Sequence, residues 1–151
     1  MNVVVEVDKR SMAKLEATFK NMVNGVVSAQ APLKESAEIV RDESVRNFKD
    51  QGYTYGTAWK PLTSRTRRDR ARKGYSPARP ILVRRGTLRD GARVTSVTSS
   101  QSIVRNPVDY AKYHQFGTKN MVQRVVLTAT DKIKHAISLV FVNYINRLIS
   151  K

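Results

Sequence analysis

The sequence predicts an α+β protein: a small curved antiparallel sheet packed by N-terminal helices and a long C-terminal helix, with a long basic loop. Three observations carry this reading. Apolar residues recur at spacings of three and four over residues 9–28 and 133–148, the period of a helix that buries one face. Two short runs rich in Val, Ile, Thr and Ser, at 92–98 and 102–106, flank Ser99, Ser100 and Gln101, which is a hairpin signal. Residues 58–93 hold 12 basic and 2 acidic residues, and the Arg-rich stretch within them reads as the basic loop. At 151 residues the chain is read as one domain, 1–151, with a mobile basic loop at about 63–80.

Val3, Val5 and Val7 alternate with Val4 and Glu6 as in a short strand, and Asp8 suits a helix N-cap. Met12, Leu15, Phe19, Met22, Val23 and Val26 then mark one helical face. Pro32 fits the first turn of a second helix, whose apolar side is Leu33, Ala37, Val40, Ser44 and Phe48. Its other side alternates Glu35, Glu38, Arg41, Asp42, Arg46 and Lys49, a solvated pattern of paired charges. Gln51 and Gly52 end it. The stretch from Tyr53 to Leu62, with the single Trp59, reads as an ordered loop pinned by aromatics.

Arg65, Arg67, Arg68, Arg70, Arg72, Lys73 and Arg79 follow. Thr63 or Ser64 suits a cap, but a helix here would have almost no apolar stripe, and short isolated helices are marginal. The segment is therefore expected to stay mobile until a partner neutralises it. A strand is expected at 81–83, a turn of helix at 87–91, then the hairpin, which Pro107 ends. Asp109 is placed to cap a helical turn that closes at Gly117. Another strand is expected at 122–127, and Thr128 with Asp131 resembles a capping box. Ile133, Ile137, Val140, Phe141, Tyr144, Ile145 and Leu148 give the last helix its face. Leu139 and Val142 fall outside that stripe; they belong either to a broad core face or to a subunit interface.

The net charge of +16 is uneven: zero over residues 1–57, +10 over 58–93 and +6 over 94–151. Such a field favours polyanions, nucleic acid above all, with salt-sensitive binding. The absence of cysteine excludes disulfide and thiolate chemistry, and a reducing compartment fits. The first residues lack the features of a signal peptide, and no apolar run reaches the ~20 residues of a membrane-spanning helix. The two histidines, His114 and His135, have no zinc-site spacing. No phosphate loop or nucleophile elbow occurs. Neither catalysis nor a cofactor or metal is expected.

Three separated blocks are similar to the phage virion-morphogenesis family, the tail completion proteins of Mu-like and related contractile-tailed phages. They are Trp59, Pro61 and Leu62; then Gly86 and Leu88 after the 81–83 run; then Tyr110, Ala111, His114, Gln115, Phe116 and Gly117. The resemblance covers residues 35 to 130. Family members often read Arg-Pro-Phe-Leu-Gly where this chain has Arg124, Val125, Val126, Leu127 and Thr128.

The resemblance implies a structural subunit of the virion, made in the host cytoplasm, that joins tail to head at the neck. It also implies a ring around the DNA channel, six-fold to match the tail, meeting neighbouring neck, tail-tube or tail-terminator proteins. Read physically, Trp59, Tyr110 and Phe116 are the large buried anchors a small sheet needs, and Gly86 and Gly117 serve turns. Tyr113 and His114 present polar atoms to buried backbone or to a neighbouring subunit. Six copies of residues 58–93 would carry about 60 positive charges, able to line a DNA channel or to dock on an acidic neighbour. The alternative is a nucleic-acid-binding protein of another class acting through the same residues.

Overall fold

The computed structural model describes residues 9–78 and 80–150. Its elements are α1 (Lys9–Val27), α2 (Gln30–Lys49), a 3₁₀ turn (Tyr53–Tyr55), α3 (Ser64–Arg72), α4 (Thr87–Asp90), β1 (Arg93–Val97), β2 (Ser102–Arg105), α5 (Ala111–Phe116) and α6 (Asp131–Ile149). The α+β class expected from the sequence holds. The strand expected at 3–7, the cap at Asp8 and the basic residue Arg79 lie outside the described residues.

Helix α2 is the hub: it packs against α6 and both strands, and α1 packs against α6. Pro32 sits buried in the first turn of α2, where its missing N–H costs nothing. β1 and β2 pair antiparallel, with a bulge between Val94 and Ser96 that curves the ribbon. The Ala29 N–H donates to Ser99 O at 2.9 Å, tying the start of α2 to the hairpin tip. α6 is capped by Thr130, not Thr128: the Thr130 hydroxyl accepts from the Ile133 N–H.

The core gathers Phe48, Trp59, Ile81, Leu88, Ala111 and Val126. Phe48 and Trp59 meet edge to face with centroids 5.1 Å apart, an arrangement that adds to the few kcal/mol of burying each ring. No strand forms at 81–83 or 122–127. At the first site Ile81 donates its N–H to Gln51 Oε1 at 2.5 Å, so a side chain takes the place of a ladder partner.

At the second site side chains take over most of the pairing, although the Arg124 N–H still donates to His114 O at 2.8 Å. Val125 O accepts from Asn47 Nδ2 at 3.0 Å and from Trp59 Nε1 at 3.2 Å. Val126 O accepts from Ser44 Oγ at 2.7 Å. Gln115 Oε1 accepts from the Val126 and Leu127 N–H groups at 3.0 and 3.1 Å, while its Nε2 donates to Leu127 O at 2.9 Å. Buried backbone must be paired, and here side chains from α2, α5 and Trp59 do the pairing.

Candidate assembly site

The three sequence blocks converge. Pro61 and Leu62, Gly86 and Leu88, and Tyr110 and His114 line one cleft of ≈ 780 Å³, walled on its other side by α3 and by residues 120–124. Trp59 and Ala111 stand behind them in the core. Gly86 precedes α4 with φ 84°, and Gly117 follows α5 with φ 73°, the left-handed region expected for both. A Cβ on Gly117 would come within 3.1 Å of Met121 O and Gln123 N, so the turn needs glycine twice over.

Two expected anchors are not buried. Phe116 is 76% exposed and Tyr110 is 46% exposed. The residue that fixes this corner is Gln115, between them and the core, through the bonds to Val126 and Leu127. α5 is a short helix of less than two turns, so its six residues point around the whole circle and Phe116 falls on the solvent side. Asp109 does not cap it: the residue at the cap is Tyr110, with no side-chain bond. His114 is half-buried; its Nδ1 has no hydrogen-bond partner. Burial, helped by the Arg124 charge, pushes its pKa below the ordinary 6.5. Tyr113 lies exposed, with Lys112 Nζ 5.2 Å from its ring centroid, and His135 is exposed.

The basic stretch is helical over Ser64–Arg72, not an irregular loop. Thr63 caps it by accepting from the Thr66 N–H, which offsets the missing apolar stripe. Its arginines divide. Arg65, Arg67, Arg68, Arg72 and Lys73 are exposed, whereas Arg70 is 6% exposed. The Arg70 guanidinium donates to Pro80 O at 3.1 Å and Val83 O at 3.5 Å, pinning α3 to the turn before α4. Arg70 is therefore a clamp, not part of a partner-facing surface.

Arg124 does the same work across the cleft. It is 7% exposed, and its Nε and Nη2 donate to Lys60 O, with Nη2 also reaching Pro61 O at 3.2 Å. Burial pushes its pKa down. Nothing in the local sequence marks a lone arginine as buried; only its place at the cleft wall does. Arg84 and Arg85 were equally inconspicuous in sequence. Arg84 stacks 4.8 Å over the Tyr75 ring, and Arg85 with Arg84 holds the Tyr75 hydroxyl below its ordinary pKa.

Leu139 and Val142 of α6 are 48% and 50% exposed, as are Ile145 and Ile149 to similar degrees. They continue as a stripe at intervals of three or four. On α1, Met12, Leu15, Phe19 and Val23 form a second exposed apolar stripe. Among the described residues no group of three His, Cys, Asp or Glu is placed to hold a metal ion, and no helix is long and apolar enough to cross a membrane.

A family model described as the phage virion morphogenesis family matches residues 10–138. No curated protein and no solved structure matches the chain.

Proposed function

The chain belongs to the phage virion morphogenesis family, and from that membership we propose that it completes the tail and helps join it to the head. The role in phage virion assembly comes with the family. The finer reading is a non-enzymatic subunit of the head–tail junction, built into a ring, six-fold to match the tail, around the DNA channel. Neighbouring neck, tail-tube or tail-terminator proteins are its partners.

The observation that carries the ring is uncovered apolar surface. Leu139 and Val142 on α6, and Leu15, Phe19 and Val23 on α1, stay exposed on two helices that pack on each other. An apolar patch of this kind on a basic chain marks an interaction surface. Packing against a second copy would cover it. The exposed cations of α3 then dock on an acidic face of the next ring protein, because a channel lining must let DNA slide. Mass photometry and negative-stain microscopy of the purified chain, with and without neck components, test this. Closed rings are expected, and Leu139→Asp with Val142→Asp should return them to subunit mass. A strict monomer under both conditions overturns the proposal.

A second reading, non-specific DNA binding, is favoured by the outward Arg65, Arg67, Arg68 and Arg72. It requires tight binding of random duplex by the isolated subunit, weakening steeply with salt.

A further inference from the structure

The cleft has an apolar floor and a cationic wall with a single acidic residue in it. Leu62, Leu82, Met121 and Val122 line it together with Arg70, Arg84, Arg85 and Arg124. Both buried guanidiniums are held by carbonyl oxygens alone. Asp69 is the one acidic residue in the lining, and it is engaged by Lys73 at 2.9 Å. Arg84 and Arg85 stand exposed in this lining, and neighbouring like charges there favour an incoming anion. The occupant that fits is therefore an extended segment with an apolar side and carboxylates.

The chain carries such a segment. Residues 3–8 read Val, Val, Val, Glu, Val, Asp, with no basic residue, in a chain of net charge +16. In an extended conformation alternate side chains face opposite ways. Val3, Val5 and Val7 would then share one side, and Glu6 and Asp8 the other. We propose that residues 3–8 of a neighbouring copy occupy this cleft, valines against Leu62, Leu82 and Val122, carboxylates toward Arg84, Arg85 and Arg124. The inference deepens the ring reading and rests on it. The segment leads into α1, which packs on α6, whereas the cleft is built from other elements. A slot on one copy filled by a segment of the next is a heterologous contact, the kind that closes rings.

The chain has no cysteine, so disulfide trapping in this chain has no background. Val5→Cys and Val122→Cys are made in differently tagged copies, mixed and oxidised, with Thr95→Cys on β1 as the control partner. The expected result is a Val5–Val122 linked pair and no Val5–Thr95 pair. Arg84→Glu with Arg85→Glu should cut the linked fraction severalfold, and an unchanged fraction overturns the ionic part of the fit. A double-cysteine chain that closes only within itself overturns the exchange between copies. No link in either arrangement overturns the inference altogether. Mass photometry of the unmodified chain reports separately on the ring: rings without the link sink this inference alone, while linked pairs that never close sink the ring.

Discussion

Gln115→Ala tests whether one side chain holds the 124–127 segment in place. Gln115 makes three hydrogen bonds to the backbone of Val126 and Leu127, all part-buried, at 2.9 to 3.1 Å. At about 1 kcal/mol net for each bond, the substitution should cost about 3 kcal/mol. For a chain of this length that lowers Tm by about 6–12 °C. Urea unfolding followed by circular dichroism gives the free energy, and the single buried Trp59 gives an independent fluorescence readout. Gln115→Glu sharpens the test: a carboxylate still accepts from both N–H groups but faces Leu127 O with no proton to donate. It should fall between the alanine variant and the parent. Phe116→Ala, at a ring 76% exposed, should cost under about 0.5 kcal/mol. The reasoning is refuted if Gln115→Ala unfolds like the parent, or if Phe116→Ala proves the costlier of the two.

Three further outcomes follow from the same geometry. Trp59→Phe keeps an aromatic against Phe48 but removes the bond to Val125 O; it should lose about 1–2 kcal/mol in urea unfolding, against about 3–5 kcal/mol for Trp59→Ala. His114 is held below its ordinary 6.5 by burial and by Arg124. The unfolded chain therefore binds the proton first, and stability should fall as pH drops through 6.5, levelling once the folded form also protonates. His114→Gln should flatten that part of the stability–pH curve. Changing Arg65, Arg67, Arg68 and Arg72 to Ser should leave Tm within about 2 °C, as expected for exposed sites, while impairing incorporation into virions; normal virions would show that this face only solubilises the chain.

The helices that bury an apolar stripe were legible because their period is written in the sequence, as in α2 and α6. The hairpin was legible from its β-branched runs, and Gly86 and Gly117 from the turns they close. The α3 helix was not, because its stability comes from the Thr63 cap and from the Arg70 tie to residues 80 and 83, neither of which is a pattern of apolar spacing. The missing strands at 81–83 and 122–127 have different causes. Leu82 takes φ 60°, which breaks an extended run, whereas residues 125–127 are held by side chains up to 82 residues away. The site was half legible: the motif residues were named from sequence, but their convergence on one cleft, and the buried roles of Arg70 and Arg124, required the fold.

The side-chain scaffold around residues 124–127 has a consequence for how the protein tolerates change. A β-ladder is made from atoms every residue except proline possesses, so its pairing survives most substitutions. Residues 125–127 are paired by Ser44, Asn47, Trp59 and Gln115, and each of these bonds disappears with the identity of one residue. Saturation mutagenesis should therefore find these four positions intolerant even of similar side chains, while Val125 and Leu127, whose backbones they hold, accept many replacements.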